Sequence, residues 1–324
     1  MIGLQFVQKS WPLRKPLKFA FAELTAIDVL TVELTTGSIR GRGEGIGVFF
    51  RGDTPETGAE ALAGLGRSFA SMSAAEDACE SLTSYAARNA LDCALWDLRC
   101  KTGGSPIRKL IGSPEGPVET FETISLGTPA TMAAAAREVA GNRLKLKVDG
   151  AGIVEQVRAV RDVRHDAVLM ADANQDLNFD QLQAVAPALA DLGLVLLEQP
   201  LPAGQDACLS DFRSPVPLCA DESCFTAEDV EGLAGQYDAV NIKLDKAGGL
   251  TGALAVLAEA RRLGLGTLVG CMAGTSLSMA PALALAAMCD FADLDGPLLL
   301  ADDYENAARY VDGVVHAPSS RFWG

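Results

Sequence analysis

Short apolar runs recur eight times along this chain, 22 to 28 residues apart, with amphipathic stretches between them. Marked at Phe121, Lys145, Asp172, Glu198, Asp221, Lys243, Cys271 and Asp295, the intervals are 24, 27, 26, 23, 22, 28 and 24 residues. Six of the runs read LKLKV, VLMADA, LVLLEQP, LCADE, AVNIKL and GTLVGC. They have the length and composition of buried strands. Between runs, Ile153, Val157 and Val160 share one helical face within 152–164. Leu250, Leu254 and Leu257 share another within 250–263. Strand then helix, repeated, makes a parallel sheet with helices outside. Eight such units make a (β/α)8 barrel. Little chain follows the last run, so a full eighth helix is not expected. The predicted fold is α/β, a modified TIM barrel of (β/α)7β form spanning 118–299.

The first 117 residues follow a different pattern. VLTVEL (29–34) is β-branched and reads as a strand. The glycines of GRGEGIG alternate, which is not the G-x-G-x-x-G of a dinucleotide site. That stretch reads as a strand end running into a flexible loop. AARNALDCALWDL (86–98) has helical periodicity and is stopped by Gly103 and Gly104. Residues 1–117 are therefore expected to form an α+β capping domain, completed by the C-terminal segment 300–324.

Composition narrows the partners. A net charge of −15 repels phosphate backbones, so nucleic acid is not an expected partner. The eight cysteines form no C-x-x-C pair, and His165 and His316 are the only histidines. Zinc is therefore poorly supported, and scattered thiols suit a reducing cytoplasm. The start of the sequence has no basic stretch leading into an apolar run, so no signal peptide is expected. Residues 265–289 carry no charge but are interrupted by glycines, hydroxyl residues and Pro281. They read as a buried strand, turn and helix rather than a membrane span. Assembly into a homo-oligomer is left open.

Barrel active sites lie at the C-terminal ends of the strands. Lys145 and Lys147 are two apart and point to one face of their strand. Asp172, Glu198 and Asp221 end three successive runs, Lys243 ends the next, and Asp293 and Asp295 share the last. One aspartate after a strand is ordinarily a helix cap. A full set in register with the barrel period is a site, because a barrel mouth holds many charges only if they neutralise one another or a ligand. Three carboxylates without His or Cys suit a hard cation, Mg²⁺ first and Mn²⁺ second. Such a cation could neutralise an enolate-like dianion, with lysines moving the proton. Lys145 would assist by lowering the pKa of Lys147.

The segments LKLKV, MADANQ, LLEQPLP, CADES, VNIKLDKAGG and GCMAGTS resemble the enolase superfamily, in its muconate-lactonizing subgroup. The resemblance covers nearly the whole chain. It implies metal ligands Asp172, Glu198 and Asp221, a K-x-K pair Lys145 and Lys147, and an opposing acid/base Lys243. FADLDGP, with Asp293 and Asp295, is similar to the D-x-D motif of dipeptide epimerases of the L-Ala-D/L-Glu type. Two carboxylates would bind the ammonium of a dipeptide by charge-assisted hydrogen bonds. Thr123, Cys271 and Met272 are counted with the substrate-binding residues.

The expected activity is epimerisation of a dipeptide at the α-carbon of its C-terminal residue, by proton transfer between Lys147 and Lys243. Family analogy names peptidoglycan turnover as the source of such dipeptides. The segment 15–25, KPLKFAFAELT, departs from the pattern by lacking an arginine for a glutamate side chain. Lys18 or Arg51 could substitute, or Phe19, Phe21 and Leu24 could line an apolar pocket. Two rivals stand. A cycloisomerase or o-succinylbenzoate synthase would leave Asp293 and Asp295 without an ammonium. A catalytically silent metal- or dipeptide-binding protein would not need both lysines.

Overall fold

A computed structural model describes residues 1–18 and 23–324, without the side chains of residues 17, 18 and 23. Phe19, Phe21 and the Lys18 side chain thus lie outside the described residues.

The N-terminal unit is an antiparallel sheet of β1 (Ile2–Lys18), β2 (Glu23–Thr36), β3 (Ile39–Gly45) and β4 (Ser68–Phe69), in the order β3-β2-β1-β4. Three helices accompany it: α1 (Pro55–Ala63), α2 (Met72–Ser81) and α3 (Tyr85–Gly103). The strand read at 29–34 is the centre of β2. Its alternate residues Leu30, Val32 and Leu34 are fully buried together with Leu91, Ala94 and Leu98 of α3. Gly104 ends α3 in the left-handed conformation, φ 64°, as the paired glycines suggested.

GRGEGIG is, as expected, a strand end running into a loop at residues 46–48. Residues 39–45 are β3, hydrogen-bonded along β2. The glycines alternate because one face of β3 lies directly on α3. A Cβ at Gly41, Gly43 or Gly45 would stand 2.4, 2.2 or 2.1 Å from the carbonyl oxygens of Ala94, Ala90 and Ala86. Those alanines recur every four residues and form one ridge of the helix. Gly43→Ala is therefore expected to lower stability by about 1–3 kcal/mol through overpacking. Denaturant unfolding measures this, and a wild-type midpoint would contradict so close a contact.

The barrel follows with β5 (Glu122–Ile124), β6 (Arg143–Lys147), β7 (Val168–Asp172), β8 (Leu194–Glu198), β9 (Leu218–Ala220), β10 (Ala239–Lys243), β11 (Gly266–Gly270) and β12 (Phe291–Ala292). They pair in parallel in sequence order. Phe121 N donates to Ala292 O at 2.8 Å and bridges the first strand region to the last. Helices α4 (Ile153–Arg161), α5 (Phe179–Asp191), α6 (Leu244–Ala247), α7 (Leu250–Leu263) and α8 (Ser276–Ala286) are among those between strands. After β12 only the four-residue turn Gly296–Leu299 forms, so the full eighth helix is indeed missing.

Strand alternation sorts the side chains. Leu144, Leu146, Leu169, Leu197, Val240 and Ile242 join the core that includes the helices. Phe121, Met170, Leu196, Cys219, Ala239 and Leu268 fill the barrel interior as an apolar plug. The eight-fold period thus found eight strands, but its first mark fell in the plug. Phe121 precedes β5, and the mouth residue of that strand is Thr123.

The uncharged stretch 265–289 is β11, a turn and α8, and every residue of α8 is buried. No helix among the described residues is long and apolar enough to cross a membrane. The segment 300–324 touches both units. Ala301 N donates to Pro12 O and Gly324 N to Asp97 Oδ1, both at 2.8 Å. Meanwhile β13 (Arg309–Val311) and β14 (Val314–His316) form a sheet with Val118–Glu119.

Candidate active site

One layer above the apolar plug, the interior positions become polar. Lys145 follows Arg143 at the two-residue spacing, and Lys147 follows Lys145. Asp172 ends β7, Glu198 ends β8, Asp221 follows β9, and Asn241 and Lys243 lie on β10. Strand order makes β6 second and β10 sixth of eight. Lys147 and Lys243 therefore stand half a circumference apart, with the three carboxylate strands between them.

Each carboxylate meets a lysine. Lys147 Nζ is 2.6 Å from Asp172 Oδ2 and 3.1 Å from Asn174 Oδ1. Lys145 Nζ is 2.7 Å from Asp293 Oδ2, 2.8 Å from Glu198 Oε2 and 3.2 Å from Asp172 Oδ2. Lys243 Nζ is 2.5 Å from Asp221 Oδ2, and Lys246 Nζ is 2.6 Å from Asp221 Oδ1. Burial disfavours the ammonium of Lys145 and Lys243, but the carboxylates outweigh it. Asp293, Glu198 and Asp172 raise the pKa of Lys145, and Asp221 leads in raising that of Lys243.

A cavity of about 120 Å³ opens over this layer. Thr123, Lys145, Lys147, Asp221, Lys243, Cys271, Met272, Asp293 and Asp295 all line it. Asp172 and Glu198 sit beneath, fully buried. Asp293 and Asp295 follow β12 rather than ending it. Asp295 Oδ2 accepts the backbone N–H of Thr123 at 2.6 Å, and Asp293 Oδ1 is buried and accepts no hydrogen bond. Arg51 does not line the cavity. Its short helical turn, Phe49–Arg51, aims Phe49 and Phe50 at the opening and lays the guanidinium 4.4 Å from the Phe225 ring centre.

The matches to known proteins agree with this architecture. The mandelate racemase / muconate lactonizing enzyme N-terminal domain matches residues 1–112, and the enolase C-terminal domain-like family matches residues 130–321. The chain belongs to the enolase superfamily. An L-Ala-D/L-Glu epimerase of Escherichia coli (strain K12) is 40% identical over 98% of this chain and 100% of its own length. An N-acetyl-D-glutamate racemase of Pseudoalteromonas sp is 41% identical over 80% of this chain and 82% of its own. Among solved structures, an enolase family member from Agrobacterium tumefaciens has homology to dipeptide epimerases and holds sodium and L-Ala-L-Glu with an ordered loop. It superposes with a TM-score of 0.93, at 40% identity over 100% of both chains.

The enolase-superfamily mouth of this chain is suited to a hard cation. Lys145, Lys147, Lys243 and Lys246 face Asp172, Glu198, Asp221, Glu222, Asp293 and Asp295. With all ionised, four lysines against six carboxylates leave two negative charges, which one divalent cation would offset. Burial pushes Glu198 up to about 7, reinforced by Asp172. Burial likewise pushes Glu222 up to about 7, reinforced by Asp221, and Asp295 up to about 7, reinforced by Asp293. Asp172 is brought to about 2, since Lys147 and Lys145 overcome its burial. Among the described residues no three His, Cys, Asp or Glu side chains converge as a ready-made cage. The oxygens that would converge are those turned to the lysines.

Sequence reading missed Asn174, Glu222, Asn241 and Lys246. Asn174 and Asn241 stand two residues from Asp172 and Lys243, so the two-residue spacing that paired the lysines would have found them. Glu222 and Lys246 carry no such signal. In DKAGG a lysine reads as solvated, yet Lys246 is 1% exposed.

Proposed function

We propose that this chain is a dipeptide epimerase that inverts the α-carbon of the C-terminal residue by moving its proton between Lys147 and Lys243. The observation that carries this reading is their opposition, half a barrel apart, in one cavity. A planar intermediate can be reprotonated on either face only if an acid stands on each. One lysine must be neutral as the other is charged, and the roles exchange with the stereoisomer bound. Lys145, deeper and held by three carboxylates, keeps its charge beside the reacting carboxylate.

Asp172, Glu198 and Asp221 would hold Mg²⁺, with Mn²⁺ as an alternative. When bound, the cation supplies positive charge that stabilises the carboxylate of the substrate as its α-carbon loses a proton. Asp293 and Asp295 would take the ammonium of the first residue, and Thr123 N–H fixes Asp295 for that task. Leu24, Ile27, Ile46, Phe49, Phe50 and Leu299 make the outer wall of the cavity apolar. Among its described lining residues, the lysines Lys145, Lys147 and Lys243 are the cations. A glutamate side chain would find no dedicated partner in that wall, whereas a leucine side chain would be covered by it. L-Ala-L-Glu, the dipeptide type in the names of the relatives, and L-Ala-L-Leu, which the apolar wall would cover, are therefore the two substrates to compare.

Two observations favour a second reading, racemisation of an N-acylated amino acid. Asp293 Oδ2 is already paired with Lys145, and Asp295 sits at about 7, so a neutral amide could be met there instead of an ammonium. The experiment is α-proton exchange in deuterated water with L-Ala-L-Leu, L-Ala-L-Glu and N-acetyl-L-glutamate, on the wild type and Asp295→Asn. Free dipeptides should exchange and epimerise. Asp295→Asn should cost them about 1.5–3 kcal/mol, roughly 10- to 150-fold in kcat/KM, and cost the acetylated substrate far less. Turnover of the acetylated substrate alone would replace the dipeptide reading and keep the two lysines. Exchange on none of the three would remove both.

A further inference from the structure

Each of the three carboxylates proposed to hold the cation has one oxygen tied to the framework and one turned to a lysine of the cavity. Asp172 Oδ1 accepts the backbone N–H of Asn174 at 3.0 Å. Glu198 Oε1 accepts Asn241 Nδ2 at 2.7 Å. Asp221 Oδ1 accepts Lys246 Nζ at 2.6 Å. The remaining oxygens, Asp172 Oδ2, Glu198 Oε2 and Asp221 Oδ2, stand 2.6, 2.8 and 2.5 Å from Lys147, Lys145 and Lys243. Glu198 Oε2 accepts no hydrogen bond.

Two of the three ties come from one strand and the short helix after it. Asn241 is fully buried on β10, and Gly270 of β11 leaves it room, since a Cβ there would stand 2.5 Å from Asn241 Oδ1. Lys246 is on α6. Its ammonium has three donors, and all three are used: Asp221 Oδ1, the Asp221 backbone oxygen at 2.5 Å and the Asn241 backbone oxygen at 3.0 Å. A lysine so enclosed is not aimed at substrate.

We infer that Asn241 and Lys246 are positioning residues that fix the rotation of Glu198 and Asp221, so that each offers a single oxygen, Oε2 and Oδ2, to the cation. This rests on the assignment of Asp172, Glu198 and Asp221 as the cation-holding set. Groups that orient ligands from behind are commonly worth 10- to 100-fold in metal affinity. Charge alone points the opposite way for Lys246, because removing a nearby positive charge strengthens cation binding.

The test is calorimetric titration of Mg²⁺ into the chelator-treated full chain. The variants are Lys246→Met, Asn241→Leu and Glu198→Gln, each checked for fold by near-ultraviolet circular dichroism. Lys246→Met and Asn241→Leu should each weaken Mg²⁺ binding roughly 10- to 100-fold. Asn241→Leu is neutral and decides alone if Lys246→Met does not fold. Tighter or unchanged binding in Lys246→Met, or unchanged binding in Asn241→Leu, would overturn the inference. If Glu198→Gln loses Mg²⁺ while Asn241→Leu binds as wild type, the cation-holding set stands and the positioning role falls. If Glu198→Gln binds as wild type, the set itself is wrong and both fall.

Discussion

Lys147→Ala and Lys243→Ala should each lower epimerisation by at least about 10²- to 10⁴-fold, the span that positioned acid–base groups usually contribute. Each variant should still exchange the α-proton of one stereoisomer for deuterium. The lysine that remains can remove and return a proton on its own face, and only the crossing to the other face is lost. The pairing around each lysine argues that both variants fold. Without Lys147, Asp172 keeps Lys145 at 3.2 Å, and without Lys243, Asp221 keeps Lys246 at 2.6 Å. Neither carboxylate is left as a lone buried charge, which would be strongly destabilising. Chiral analysis of products together with deuterium content by mass spectrometry reads both halves of the result. Near wild-type epimerisation by either variant would disprove transfer between two lysines.

Chelation should be as severe. With lysines and carboxylates all ionised, two negative charges remain at the mouth, and a substrate carboxylate adds a third. A buried cluster of that charge repels its substrate unless a cation joins it. Treatment with EDTA should therefore remove turnover, and Mg²⁺ should restore it. Asp221→Asn should resist that restoration, because it gives up the oxygen facing Lys243. Full turnover in metal-free protein would remove the cation from the reading.

These predictions rest on residues that were visible before any coordinates, and there is a physical reason for that. A strand buried on both sides must be apolar except where it reaches the mouth, so Lys145, Asp172, Glu198, Asp221 and Lys243 interrupt their runs at a regular interval. Phe121 kept the interval but not the role, because period marks position along the barrel and not depth within it. GRGEGIG was legible as a strand end, but not the reason its glycines alternate, because glycine serves a close contact as readily as a loose turn and only the ridge of Ala86, Ala90 and Ala94 distinguishes the two. Arg51 misled because direction in a three-residue turn is set by its dihedrals. Gly52 closes that turn at φ 75°, and the arginine is sent over Phe225 while its two neighbours face the cavity. Lys246 was hidden because a buried lysine has no local signature apart from the carboxylate it meets, and Asp221 is 25 residues away.

The two walls of the cavity come from different parts of the chain, and this has a consequence for how new selectivities could arise. Lysines and carboxylates stand on barrel strands or just after them, whereas Ile46, Phe49 and Phe50 belong to the N-terminal unit. That rim is joined to the barrel through main-chain atoms, with Ile46 N and Gly47 N donating to Asp245 Oδ1 at 2.8 and 3.0 Å. The attachment does not depend on which side chains occupy positions 49 and 50, and these are 45% and 40% exposed. A library randomised at those two positions should keep its fold and its proton-transfer groups while sampling many shapes of entrance. Drift at the rim would then let descendants of one such chain divide a range of peptides among themselves before any reactive residue had to change.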